Sequence, residues 1–300
     1  TVNGGAIYGT HFSTVSAYVN LEGNINTTIN GGQFYLIFDV AADSAFYFGP
    51  SGGSTCRNVT NKISAGLFMP YSRKATGVDM CLYFGGHTGH ITGTLRNEIT
   101  GGNFQFGLAG ASDRSINAGS RGVNLVIGKI ENVFGKSGST HGPNMSSAVV
   151  KLAGGWAQVG VSSKLSAQPT ACSDTVVLSN TIYGGNYSNI YLGTTGNPNL
   201  EKGYYAFIKG SIENKIYGGF FQGNVFCAGN GPVFGHVKTD VYGGFFKSIY
   251  GGTETTSTVF DGVELNIRGM DEYYPVNPND SWVFCGGNKS GKVPVPMTEG

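Results

Sequence analysis

Apolar and polar residues alternate with a period of two through short runs of this chain, and each run stops at a pair of small residues. The clearest run is GSIENKIYGGFF at 210–221. Ile212, Asn214 and Ile216 share one face, Glu213, Lys215 and Tyr217 the other, and Gly218-Gly219 breaks the alternation. The pattern predicts a short strand closed by a turn, with the aromatic Phe221 two residues beyond the glycine pair.

The same order, apolar-x-(Asn/Thr)-x-(Ile/Val)-x-(Gly/Ala)-Gly-x-aromatic, recurs at 25–34, 59–68, 95–104, 178–187 and 237–246. Each copy ends on a ring: Phe34, Phe68, Phe104, Tyr187, Phe221 and Phe246. Looser copies stand at 130–135 and 263–269. Copies therefore begin at 25, 59, 95, 130, 178, 212, 237 and 263, spaced by 34, 36, 35, 48, 34, 25 and 26 residues. A period of this size means stacked units, because one unit cannot bury its own apolar face whereas a pile of them can. The expected fold is all-β, a single-domain parallel β-solenoid of about 8–10 coils with glycine-rich loops along one edge.

Asn61, Asn97, Asn180 and Asn214 occupy one inward position of the repeat. An amide alone in an apolar core is costly, but one lying over its equivalents satisfies itself along the stack. These asparagines and the aligned aromatics resemble the ladders and stacks of right-handed parallel β-helix proteins, from about residue 20 to 270. The resemblance implies architecture and points to no particular member of that group. Residues 1–20, with TVNGGAIYGTHF as a partial echo of the repeat, read as an N-terminal cap or first coil. Residues 21–270 read as the solenoid, with 135–177 an irregular insertion in which GKSGSTHGPNMSS suggests an exposed loop and VVKLAGGWAQVGV, at 149–161, an additional coil. Residues 271–300 read as a C-terminal cap and the start of a linker. A second motif follows the aromatic: FYFGPSGG at 46–53, LYFGGHTG at 82–89, FGLAGASD at 106–113, IYLGTTGN at 190–197, VFCAGNGP at 225–232, IYGGTETT at 249–256 and VFCGGNKS at 283–290.

Composition changes the picture in two ways. Charged residues make up 12% of the chain and the net charge is +1 without a basic block, which argues against nucleic acid as a partner. No apolar run approaches the roughly 18 residues of a membrane helix, so no membrane span is expected. The chain starts without methionine, a basic leader or an apolar export segment, as either a mature secreted product or a trimmed chain does, and an extracellular or cell-surface location is expected. The five cysteines show no zinc-ligand spacing. Cys227 and Cys285 sit in matching contexts as buried apolar residues, and a Cys56–Cys81 disulfide is the sequence-local alternative for two of the others.

Candidate chemistry is sparse. Glu213 over Lys238 over Glu264, and Lys215 over Asp240, read as ion pairs along the outside of the ladder. Tyr183, Tyr217 and Tyr242 form one outward column, either packing on each other or offering a surface to glycans or a protein partner. His87 and His90, with Asp79 as the one nearby carboxylate, read as a solvated loop. No metal or cofactor site is expected, and no catalytic residue can be named. Two functions compete. The first is an extracellular structural or adhesive solenoid, self-associating end to end or presenting its aromatic column to a polysaccharide or cell-surface glycan. The second is a polysaccharide lyase or glycoside hydrolase with its site in the polar edge loops.

Overall fold

The structure is a computed structural model that describes residues 1–9, 11–13, 23–36, 44–50, 54–70, 80–86, 89–106, 114–117, 125–155, 157–196, 200–203, 205–255, 257–269 and 282–284. Among the described residues, the strands form two long parallel sheets, one of 15 strands and one of 11. The chain is a parallel β-solenoid in which successive coils lay equivalent segments directly over one another.

The first wall of each coil is the repeat strand itself: Asn24–Ile29, Asn58–Ile63, His90–Ile99, Leu125–Phe134, Val176–Ile182, Ser211–Ile216, Val237–Val241 and Val263–Ile267. All eight starts read from the sequence lie in one register, from Ile25 opposite Val59 through Ile130 opposite Leu178 to Val237 opposite Val263. The looser copies thus belong to the same ladder. The second wall follows the glycine turn, at Ala6–Gly9, Gln33–Leu36, Leu67–Pro70, Asn103–Phe104, Asn144–Met145 and Asn186–Tyr187, then the front of Phe220–Phe226 and of Phe245–Tyr250. The third wall runs from His11–Ser13 to Trp282–Phe284, and a short fourth wall, including Thr55–Cys56, Ala157–Val159 and Phe207–Ile208, leads back to the first.

Two interior columns hold the coils together. Phe34, Phe68 and Phe104 stack with centroids 4.7 and 4.6 Å apart, and Tyr187, Phe221 and Phe246 with 5.1 and 4.6 Å. All six rings are buried. The column is interrupted once, because Met145 takes the aromatic slot between Phe104 and Tyr187. The loop after Phe134 lengthens that coil's turn, so the slot falls within the segment that reads as an exposed loop; a thioether fills the irregular gap. Tyr187 is accommodated because its hydroxyl donates to Gly184 O at 2.8 Å.

The asparagine column is continuous and longer than the repeat alignment implies, since Asn132 completes it. Each Nδ2 donates to the Oδ1 of the next coil, Asn61 to Asn97 at 2.9 Å, then Asn97 to Asn132, Asn132 to Asn180 and Asn180 to Asn214 at 2.8 Å, and Asn214 ends on Thr239 Oγ1. The second N–H of Asn61, Asn132, Asn180 and Asn214 crosses the coil to the carbonyls of Phe84, Leu152, Leu192 and Cys227. The ladder therefore ties neighbouring coils together and also braces the first wall against the end of the third.

Three expectations change. VVKLAGGWAQVGV is no separate coil: Val149–Lys151 pairs with Arg114–Asn117 and Ile190–Tyr191 as third wall, and Ala157–Val159 is fourth wall of the same turn. The second motif does not start at Phe106, because Ile116 is the residue paired with Leu82 and with Val150; the rest of FGLAGASD, 107–113, lies outside the described residues. In these two coils the motif starts at Ile116-Asn117 and at Val150-Lys151, neither with the aromatic that marks the others. Cys56 is a free, buried thiol, so its pairing with Cys81 is not formed. Cys285 lies outside the described residues, although Phe284 beside it is equivalent to Tyr250 and thence to Phe226, beside Cys227.

The extra length of the 48-residue coil lies partly at 135–143 and partly at 160–175. The latter segment is pinned to the fourth wall: Leu165 N–H donates to buried Gln158 Oε1 at 2.7 Å, and Gln158 Nε2 donates to Leu165 O at 2.8 Å. Val161 and Leu165 join Val126, Phe207, Phe234 and Tyr205 in a small apolar cluster outside the main core.

The ladder makes a two-sided prediction. Asn132→Leu orphans the Asn97 donor, the Asn180 Oδ1 acceptor and the Leu152 carbonyl, and is expected to cost about 3 kcal/mol or more in denaturant unfolding. At the N-terminal end, Asn61 Oδ1 faces Thr27 and neither side-chain oxygen has a hydrogen-bond partner. Thr27→Asn is expected to add about 1 kcal/mol by extending the ladder one rung.

Candidate functional site

The corner between first and second walls is built from glycine for two separate reasons. At the first glycine of the pair the preceding coil comes too close for a side chain: a Cβ at Gly101 would lie 2.3 Å from Ser64 O, and one at Gly218 2.8 Å from Tyr183 O. At the second, the backbone is left-handed, φ 104° at Gly102, 125° at Gly219 and 114° at Gly244, and a Cβ would press on the ring of Phe104, Phe221 or Phe246. The buried aromatic is thus seated beneath its own turn. At Gly184-Gly185, Gly218-Gly219 and Gly243-Gly244 the corner becomes a strip without side chains, whereas Ala65 and the longer turn at 135–143 carry side chains in earlier coils.

The residue before each glycine pair points outward on one side of this strip. Tyr183, Tyr217 and Tyr242 hold that position in three successive coils, stacked at 5.1 Å and 17° and then at 4.8 Å and 8°. Tyr217 and Tyr242 are 42% and 41% exposed and Tyr183 is half-buried. The ring faces mostly cover one another, so edges and hydroxyls are what solvent meets. Arg268 ends the column, its guanidinium carbon 5.8 Å from the Tyr242 centroid, while its Nη2 bonds Asp240 Oδ1 at 3.2 Å. On the other side of the strip stand Phe220 and Phe245, in register with centroids 6.0 Å apart. Neither was singled out as a site residue, although period two from Phe221 and Phe246 places both outward.

The two walls meeting at this corner differ sharply in charge. The first wall carries ion pairs on its outside: Lys62 with Glu98 at 3.5 Å, Arg96 with Glu131 at 3.3 Å, Lys129 with Glu131 at 2.8 Å and Lys238 with Glu264 at 3.2 Å. Glu213 lies opposite Lys238 and Lys215 opposite Asp240, as the repeat predicts, yet Glu213 pairs along its own strand with Lys215 and Asp240 with Arg268. The Glu213 bond holds the Lys215 amine above its usual range. Burial alone would raise the Asp240 carboxyl, but hydrogen bonds from Asn266 and Arg268 outweigh it and keep the group below the ordinary range.

The second wall is nearly uncharged outside. One column runs Ala6, Gln33, Leu67, Asn103, Asn144, Asn186, Phe220, Phe245. The residues two further on each strand are Tyr8, Tyr35, Met69, Gln105, Ser146, Ser188, Gln222 and Lys247, and Lys247 is the single charge in the set. Asn144 Nδ2 donates to Asn103 Oδ1 at 3.2 Å, and Tyr8 stacks on Tyr35 at 4.8 Å.

Other candidates have structural roles or fall outside the described residues. His90 Nδ1 accepts the Val126 N–H at 3.2 Å, and burial followed by the Lys164 charge lowers its pKa. His87 and Asp79 lie outside the described residues. Burial pushes the Cys56 and Cys227 thiols up to about 11 and about 12. Tyr191 donates to Glu254 Oε2 at 2.8 Å in the corner after the third wall; burial first, and then that carboxylate, raise its pKa. Among the described residues, no three or more His, Cys, Asp or Glu are grouped to hold a metal ion, and no helix is long and apolar enough to cross a membrane.

The structure defines the class, a parallel β-solenoid, and comparison carries it no further. No family model, curated protein or solved structure matches the chain.

Two outcomes follow from the corner and its charged wall. Gly219→Ala is expected to cost about 1–3 kcal/mol, because it combines positive φ with a ring contact. Gly138→Ala, at positive φ but with nothing within 4 Å of its Cβ, should cost less in the same melting series. The Lys129 hydrogen bond, with the Lys129 and Arg96 charges, holds the Glu131 carboxyl below its ordinary range. A depressed folded-state pKa gives stabilisation that is present above the unfolded value and lost as pH falls through the folded one. Stability should therefore decline below about pH 4.5, and Glu131→Gln should flatten part of that decline in urea titrations at successive pH values.

Proposed function

We propose that this protein is a non-enzymatic, extracellular or cell-surface adhesive solenoid that holds a polysaccharide along its glycine corner. The observation that carries the reading is the exposed aromatic strip: Tyr183, Tyr217 and Tyr242 on one flank, Phe220 and Phe245 on the other, with no side chains between. Tyrosine combines an apolar ring with a polar tip, which suits it to sugars, whose surfaces alternate C–H faces and hydroxyls. A contiguous exposed apolar patch with polar edges is the ordinary mark of a binding surface. Each coil contributes one equivalent element about every 4.8 Å, so the strip suits an extended polymer better than a compact ligand.

In affinity gels across a panel of soluble polysaccharides, the protein is expected to be retarded by at least one polymer without releasing new chain ends from it. Tyr217→Ala and Tyr242→Ala should each weaken that retention about tenfold, and the corresponding Phe substitutions less, because they keep the stack. Retention unchanged by both Ala substitutions would count against the corner; release of unsaturated or reducing ends would favour a lyase or hydrolase.

A further inference from the structure

We infer that the polymer held at the corner is an uncharged polysaccharide that lies parallel to the solenoid axis, against the outside of the second wall. This rests on the glycan reading above and adds the ligand's chemical class and its path. Charge is the first argument. An acidic polymer laid on this wall would place carboxylates or sulfates against amides and rings with Lys247 as the one cation of that wall, and an unpaired anion loses hydration without recompense. Of the cations that flank the tyrosine column, Lys215 is engaged with Glu213 and Arg268 with Asp240, while Lys136 stands exposed in the longer turn at 135–143. Repeat geometry is the second. Asn103, Asn144 and Asn186 stand in register, one carboxamide per coil, with Asn186 exposed and with Asn144 keeping one N–H beyond its bonds to Asn103 and Ser146, and Phe220 and Phe245 continue the same column. A carboxamide both donates and accepts, matching hydroxyl and ring oxygens, while the phenyl rings suit the C–H faces of the same units. A chain running along the axis meets one such group in every coil. A chain running across it reaches the ion pairs of the first wall within one coil.

The test compares retardation in native gels containing neutral polymers (galactomannan, hydroxyethyl cellulose, xylan) or acidic ones (polygalacturonate, alginate), at low salt and at about 0.15 M, where exposed charges are screened beyond about 8 Å. Retardation by a neutral polymer, insensitive to salt, is the expected result. Asn144→Asp and Asn186→Asp, which keep side-chain size, should each weaken it about tenfold by placing an unpaired anion against the ligand. Glu98→Gln on the first wall should leave it unchanged, and melting curves of the three variants identify any loss caused by unfolding. Retardation confined to acidic polymers and fading with salt overturns the inference while leaving the corner as a glycan site. A neutral polymer bound equally well by both Asp variants overturns the path. No retardation by any polymer overturns both this inference and the function it extends.

Discussion

Everything in this molecule follows from the demand that a residue be compatible with copies of itself one strand spacing away. Parallel coils approach to about 4.8 Å, so whatever occupies a repeat position meets its equivalents above and below. Aromatic rings satisfy the demand by offset stacking, asparagines by donating to the next coil and accepting from the last, and glycines by having no side chain to clash. Residues that cannot stack favourably on themselves, the acids and bases, alternate in sign or pair along their own strand, as Glu213 does with Lys215.

This constraint explains why departures from the repeat are local. Met145 replaces a ring without disturbing Phe104 or Tyr187 on either side, because the slot needs apolar volume more than a ring. The longest coil returns to register at Leu178 after its two loops, since all eight first-wall strands must lie opposite one another. Gln158 shows the cost of adding chain there. Its buried amide is satisfied by both backbone groups of Leu165, which fastens the extra segment to the outside of the fourth wall.

A solenoid of this kind separates its core from its surfaces cleanly. The interior columns are fixed by stacking, so the outward positions are free to differ from wall to wall. Here the first wall is laced with ions and the second holds amides and rings, and the glycine corner joins the two. The proposed binding role draws on that contrast: a ladder that repeats its interior chemistry also repeats its surface chemistry, at a spacing suited to a polymer.

Period-two alternation and the spacing of Gly-Gly-x-aromatic were enough to place all eight first-wall strands in their correct register, since both are local consequences of strand and turn geometry. They also identified the interior rings, four of the five ladder asparagines and the outward tyrosine column. The third wall is harder to read: the second motif starts at Ile116 and not at Phe106, and 149–161 belongs to a turn already begun and forms no coil of its own, because loops of unequal length erase the period there. Tertiary structure alone decided which charges pair, that Asn132 joins the ladder, that Arg268 covers Tyr242, and that Phe220 and Phe245 flank the same strip as Tyr217 and Tyr242. Each of those contacts depends on distance between coils or across a corner, and a one-dimensional pattern carries no record of that distance.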